Sequence, residues 1–250
     1  MSKKLKVLLY DIETAPHIGY VWSKWETNVI EFLEYGGLLS FSYKWLGEKT
    51  VHCLSKPQFE DKSDKALLQE LHKLFSEADV VIAHNGDAFD QKMSNTRFIH
   101  EDIPPPSPYR SIDTKKVAKK YFRFTSNSLN DLGKFLKVGH KYHHSGFEMW
   151  KGCMAGDKKS WDEMVKYNKQ DVVLLEKVYL KMRPWMDNHP NINQEYTKID
   201  HSPKCAGTSL KSCGIVRTKT SSYRSYRCAD CKGYSKSRKA EPTNKPNIVN

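Results

Sequence analysis

Apolar runs that stop at acidic residues constrain this chain more than any other feature. Lys4 to Tyr10 is apolar and β-branched at its centre and ends at Asp11, with Glu13 two residues further on. Ala78 to Ala83 has the composition of a strand buried in a parallel sheet; His84-Asn85-Gly86-Asp87 follows it, and then Asp90. Two more strands are expected over Leu38–Leu46 and Thr50–Leu54, with Gly47-Glu48 as the turn between them. Helices are expected from Ser63 or Asp64 to Ser76, from about Ala88 to His100, over Lys115–Tyr121 after a brief strand at Ser111–Thr114, and over Ser128–Leu136. A long amphipathic helix follows from Trp161 to about Met182, with Asn168 the place for any bend. Strands interleaved with helices in this way make an α/β chain.

The acids have a shared chemistry available to them. Asp11 and Glu13 are two apart on an extended chain, so both side chains point to one face. Asp90 falls in the first turn of its helix, where it faces back toward the strand ends. Asp87 is the alternative, although after Gly86 it also suits a helix cap. Tyr167 and Asp171 lie four apart on one helix and share a face. Four converging carboxylates suit two hard divalent cations, and two such ions about 3.5–4 Å apart form a clamp for in-line attack on a phosphodiester. Tyrosine, with an ordinary pKa near 10, is a poor base, so Tyr167 is expected to position the attacking water. Taken singly, each segment also fits a plain structural role: a strand-end acid, a cap, a buried aromatic ring. Their combination points to nucleic-acid cleavage.

Together these segments resemble the three exonuclease motifs of the DEDD, or DnaQ-like, superfamily. A tyrosine four residues before the last aspartate marks its DEDDy branch; the histidine of the DEDDh branch would stand five before it, where this chain has Lys166. Pro104 to Asp113, Ser126-Asn127-Ser128-Leu129 and Gly146-Phe147-Glu148-Met149-Trp150 resemble segments of a ribonuclease-H-like exonuclease group frequent in phage genomes. The resemblance spans about residues 4–187. It implies a ribonuclease-H-like mixed sheet flanked by helices, two Mg²⁺ or Mn²⁺ ions, and 3′→5′ removal of nucleotides. It makes Asp11, Glu13, Asp90 and Asp171 metal ligands, with Tyr167 at the attacking water. Thr14 and Asn85, beside these motifs, are the expected strand contacts.

The composition changes after residue 200. Residues 201–250 carry eleven Lys and Arg against two acids, a net of +9 out of +12 for the whole chain. Such a charge suits a polyanionic partner, and Tyr223, Tyr226 and Tyr234 among the cations suit stacked bases. Four of the six cysteines crowd here. Cys228-Ala-Asp-Cys231 is a knuckle able to chelate Zn²⁺. The matching pair would end at Cys205, but its first position is Ser202, so the fourth ligand is open between His201, four before Cys205, and Cys213. The expected set is His201, Cys205, Cys228 and Cys231. Val216 to Arg227 resembles the hairpin of zinc ribbons appended to transposases and phage nucleases. Arg217, Lys219, Tyr223, Arg224, Tyr226 and Arg227 are the expected nucleic-acid contacts on it.

The expected organisation is an exonuclease domain over 1–187, a linker over 188–200, a zinc-ribbon-like module over 201–240 and a disordered end at 241–250. No apolar run approaches the roughly 18 residues of a membrane span, and the N-terminus has no signal-peptide core, so a cytoplasmic location with reduced thiols is expected. Single-stranded DNA is the expected substrate. The rival functions are an exoribonuclease acting on RNA, a structure-specific endonuclease, and a non-catalytic nucleic-acid-binding protein.

Overall fold

β1 (Val7–Thr14) lies between two partners of opposite sense. β4 (Leu38–Trp45) pairs with it antiparallel along nearly its whole length, and β6 (Val80–Ala83) pairs with it parallel through Val7–Leu9. β5 (His52–Ser55) adds antiparallel to β4, and β7 (Arg110–Asp113) adds parallel to β6. The result is a mixed five-stranded sheet in the order β5-β4-β1-β6-β7. The computed structural model from which this is taken describes residues 5–25, 28–59, 63–192 and 200–242. It divides into two compact units, residues 6–178 and residues 179–250 with the first five.

Helices cover the sheet in the first unit: α1 (Lys65–Glu77), α2 (Asp90–His100), α3 (Thr114–Tyr121), α4 (Leu129–Phe135), α5 (Phe147–Met154) and α6 (Lys158–Met182). Alternation along β1 sorts its side chains. Leu8, Tyr10 and Ile12 pack in a core with Phe41, Leu67, Leu68, Leu71, Phe75 and Phe98, so this face is covered by α1 and α2. Asp11 and Glu13 have the other parity, and there Asn168 of α6 donates to Asp11 Oδ2 at 2.7 Å. Leu39 of β4 packs with Met149, Cys153, Met164 and Tyr167, which ties α5 and α6 to the sheet. A buried ion pair locks the opposite side: Asp64 accepts two bonds from Arg97, at 2.5 and 3.0 Å, and one from the Leu38 N–H at 2.6 Å. One carboxylate thus fixes α1, α2 and the start of β4 together.

Several elements differ from the sequence expectation. β1 continues four residues past Tyr10, because β4 supplies backbone partners as far as Thr14; Asp11 therefore sits inside the strand. A hairpin of β2 (Ile18–Tyr20) and β3 (Glu31–Glu34) was not expected, since its apolar residues follow no burial pattern: Trp22 and Trp25 are 82% and 85% exposed. α5 is likewise additional, burying only Met149 and Cys153. α6 starts at Lys158 and runs unbroken through Asn168.

The second unit holds a three-stranded antiparallel sheet in the order β10-β9-β8, from β8 (Leu210–Arg217), β9 (Ser222–Cys228) and β10 (Tyr234–Lys236). Of the expected linker, residues 193–199 lie outside the described residues, as do 243–250 of the expected disordered end.

Candidate active site and cysteine cluster

The two units each gather one set of metal-ligating side chains. In the first, oxygens of Asp11, Glu13 and Asp171 all lie within 4.8 Å of one another. β1 presents the first two on one face, and α6 brings the third across 160 residues of chain. Asn168, one turn of α6 from Asp171, explains how the elements hold register. Its amide donates both to the Asp11 carboxylate and to the Asp11 carbonyl, while its own oxygen accepts from Ser40 Oγ of β4 at 3.3 Å.

Asp90 stands at the start of α2, where its Oδ1 accepts from the Ile12 N–H at 3.3 Å. This bond ties Asp90 to the residue between Asp11 and Glu13. Asp90 lies outside the 4.8 Å group, yet close enough for its charge to bear on both Asp11 and Glu13. Asp87, the alternative, spends its oxygens on Gln91, Ser111 and Lys116.

Burial acts on every acid here, and repulsion among them adds to it at Asp11 and Glu13. Burial, then the charges of Glu13, Asp171 and Asp90, hold Asp11 well above the usual carboxylate range. Burial, reinforced by Asp171, pushes Glu13 up to about 8. Burial lifts Asp90 to about 7 against the bond from Ile12. Asp171 is raised by burial as well, with Lys141 opposing. Its Oδ1 is buried without a hydrogen-bond partner. Clustered acids with raised pKa values and an orphaned oxygen are the donor set of a hard divalent cation. The residues present therefore fit a hard divalent cation, the class of ion that the family resemblance implies.

Lys141 is the residue that the sequence did not single out. Its ammonium donates to Asp171 Oδ2 at 2.5 Å and to the Tyr167 hydroxyl at 3.0 Å. Burial disfavours its charge, but Asp171 and Tyr167 outweigh that and hold it above the ordinary lysine value. Tyr167 is itself pushed far up, by burial first and then by Asp171 and Glu13, so its hydroxyl stays protonated. His144 packs on the Tyr167 ring, with centroids 4.6 Å apart, and Trp150 stands behind both. Lys141 and His144 sit in Lys-Tyr-His-His, a basic stretch with no periodicity, so nothing in the sequence separates them from surface charge.

Beside the acids, Thr14, Ala15, Pro16, His144, Gly146, Phe147 and Trp150 line an open cleft of about 380 Å³. Thr14 is thus at the cleft. Asn85 is placed in the turn after β6, with φ 69°, and its N–H donates to Asp113 Oδ1 at 3.0 Å.

In the second unit, the sulfurs of Cys205, Cys228 and Cys231 lie within 4.8 Å of one another, and His201 is not in that group. Cys213 is exposed on β8, its thiol 3.5 Å from Ser225 Oγ. Arg217, Lys219, Arg224 and Arg227 are exposed along β8, β9 and the turn between them. Arg224 is paired with Glu241, and Lys236 lies over the Tyr223 ring at 4.5 Å. Tyr226 is half-buried.

Sheet order, helix cover and the acid triad define a ribonuclease-H-like α/β domain. Residues 37–183 match the RNase_H_2 family model, so the chain belongs to the RNase H superfamily. Among solved structures it is similar to a family B DNA polymerase from the hyperthermophilic archaeon Pyrobaculum calidifontis, at 14% identity and a TM-score of 0.56. That match covers 72% of this chain and 25% of the polymerase chain. No curated protein matches the sequence. Among the described residues no helix is long and apolar enough to cross a membrane.

Proposed function

We propose that this chain is a metal-dependent 3′→5′ exonuclease of the DEDDy type, acting on single-stranded DNA. One observation carries the reading: three carboxylates from β1 and α6 converge within 4.8 Å, all raised in pKa by burial, and one oxygen of Asp171 has no hydrogen-bond partner. Asp11, Glu13, Asp90 and Asp171 would hold two Mg²⁺ or Mn²⁺. When bound, such ions supply a nucleophile at neutral pH and neutralise charge on the phosphate.

The side chains have separate tasks in this reading. Asn168 keeps Asp11 aimed by an uncharged bond, so no negative charge is lost from the site. The Tyr167 hydroxyl keeps its proton and orients the attacking water by hydrogen bonding, while Lys141 fixes where that hydroxyl points. Thr14 and Asn85 contact the strand near the scissile bond. The proposed domain plan is an exonuclease domain over 1–187 and a zinc-ribbon-like module over 201–240, joined by 188–200. The module would hold one structural Zn²⁺ through Cys205, Cys228 and Cys231. Arg217, Lys219, Tyr223, Arg224, Tyr226 and Arg227 would grip the backbone and bases of the incoming strand. Free thiols in the metal cluster suit the reducing cytoplasm.

The test is digestion of 3′-labelled and 5′-labelled oligonucleotides, DNA and RNA, single- and double-stranded, with Mg²⁺ or Mn²⁺. Release of mononucleotides from the 3′ end of single-stranded DNA is expected. Internal fragments would make the protein an endonuclease, preferential loss of RNA an exoribonuclease, and binding without cleavage a non-catalytic protein.

A further inference from the structure

The second unit is built on two loops that repeat each other bond for bond. In the loop at 202–207, Ser202 N donates to Gly207 O at 2.8 Å and Ala206 N to Ser202 O at 2.9 Å. In the loop at 228–233, Cys228 N donates to Gly233 O at 3.0 Å and Lys232 N to Cys228 O at 3.1 Å. Ala206 and Lys232 hold the same left-handed backbone, with φ 61° and 62°. Each loop then places its glycine against the other loop. A Cβ on Gly207 would stand 2.1 Å from Asp230 Oδ2 and 3.2 Å from Cys228 Sγ, and one on Gly233 would stand 3.0 Å from Lys204 Cδ and 3.4 Å from Cys231 Sγ. By this correspondence Cys205 matches Cys231, and Ser202 matches Cys228.

We infer that the Zn²⁺ of this module is held by Cys205, Cys228 and Cys231 with the Ser202 hydroxyl as fourth ligand, and that His201 takes no part. The inference rests on reading the module as a zinc site and names the ligand that completes it. Distances support it. A tetrahedral zinc with sulfur at about 2.3 Å and oxygen at about 2.0 Å sets sulfurs about 3.8 Å apart and sulfur and oxygen about 3.5 Å apart. Cys205 Sγ and Cys228 Sγ are 3.6 Å apart, and Ser202 Oγ is 3.6 Å from Cys231 Sγ. Ser202 is 2% exposed, so its hydroxyl points into the cluster and not to water.

Charge supports it too. Three thiolates and a neutral hydroxyl leave the zinc centre at −1, where four thiolates would leave it at −2. Lys204, between the two ligands of its own loop, is buried to 6% with its ammonium on the Pro184 carbonyl at 2.8 Å. One buried cation near a singly charged centre offsets part of the cost of burying that charge, while Asp230 Oδ2, 3.8 Å from Cys228 Sγ, adds a negative charge from the exposed side.

The experiment uses the full chain, purified under reducing, chelator-free conditions. Bound zinc is counted, zinc affinity is measured by competition with a chromophoric chelator, and Co²⁺ is substituted to record the thiolate charge-transfer and ligand-field bands. Thiolate bands report this site alone, because the carboxylate site has no sulfur. One zinc per chain is expected, with an unchanged cobalt spectrum and affinity in His201→Ala. Ser202→Cys should strengthen the thiolate band by about one third, the step from three sulfurs to four, and tighten zinc binding at least ~10-fold, since even indirect partners of a ligand shift metal affinity by about 10–100-fold. Ser202→Ala should weaken it. Loss of zinc or a changed cobalt spectrum in His201→Ala would overturn the Ser202 assignment while leaving the zinc module standing, as would a Ser202→Ala protein that matches the parent in affinity and cobalt spectrum. A parent protein that holds no zinc would overturn both.

Discussion

Raising the pH on metal-free protein should weaken it, and the site predicts where. Glu13 is lifted from its ordinary 4.5 to about 8, and Asp90 from 3.8 to about 7. Between each pair of values the folded protein keeps a proton that the unfolded chain has released, so stability falls as pH rises through the window. The advantage of the protonated acids is complete below the unfolded values and gone above about pH 8. Two histidines oppose this at the acid end. Burial lowers His84 and His189 from 6.5 to about 4, so their contribution rises with pH until about 6.5 and is flat beyond. Between about pH 6.5 and 8 the histidines no longer oppose the acids; the Cys231 thiol, held below its ordinary value despite burial by bonds from Gly233 and Ser202, works against their fall. For Glu13 that remaining stretch is worth ~2 kcal/mol at ~1.4 kcal/mol per pH unit, and its partial exposure reduces this to about 1–2 kcal/mol.

The assay is urea unfolding followed by circular dichroism, in chelator, at several pH values across that stretch and again with saturating Mg²⁺. Chelated protein should lose about 1–2 kcal/mol from pH 6.5 to 8, and added Mg²⁺ should stabilise more at pH 8 than at 6.5 by a similar amount, because the cation replaces the proton. Asp171→Asn removes the charge that bears most on Glu13, so it should flatten the fall and abolish cleavage. Metal-free stability that stays level or rises over this range, or equal stabilisation by Mg²⁺ at both ends of it, would refute the reading of these carboxylates as one electrostatically strained metal site.

Three further outcomes follow from the same geometry. Tyr167→Phe should slow cleavage by about 10–100-fold at saturating metal, since the ions still generate the nucleophile; unchanged single-turnover rates would show the hydroxyl to be a bystander. Lys141→Met removes a cation that competes for Asp171, so Mn²⁺ should bind more tightly by calorimetry while turnover drops; weaker Mn²⁺ binding would contradict the competition. Truncation after Pro190 should leave cleavage intact but weaken binding to single-stranded DNA and flatten its salt dependence, measured by fluorescence anisotropy across a salt series, because most of the net positive charge is removed.

The sheet was legible in the sequence where its strands are buried. Val80–Ala83 is apolar because both faces are covered, and Leu38–Trp45 alternates Phe41, Tyr43 and Trp45 with Ser40, Ser42 and Lys44; both patterns announce a strand. The hairpin of β2 and β3 gave no such signal, because its tryptophans and tyrosines face water and alternate with nothing. The acids were legible because their spacing maps onto strand and helix periods. Its place in the first turn of a helix favoured Asp90 over Asp87 in the sequence; that a lysine, a serine and a glutamine already occupy Asp87 depends on residues up to 29 positions away. Lys141 and Asn168 were illegible for the same reason: an ammonium on Asp171 and an amide on Asp11 are long-range facts, 30 and 157 residues apart in the chain. Ser202 was visible as a departure from a repeated spacing, and its burial shows what that departure faces.

The distance along the chain between the carboxylates has a consequence for how the protein is made. Asp11 and Glu13 leave the ribosome first, and Asp171 follows 160 residues later. At a synthesis rate of about 5–20 residues per second, roughly 10–30 seconds separate them. Through that interval the sheet can begin to form from β1 and β4, which need only each other, while α6 is still unmade. The nascent chain therefore carries Asp11 and Glu13 without Asp171, the third member of the cluster. Only when α6 docks, with Asn168 against Asp11 and Lys141 against Asp171, do the acids meet. On the proposed reading, a chain assembled in this order gathers its carboxylates only once nearly all of its first unit exists.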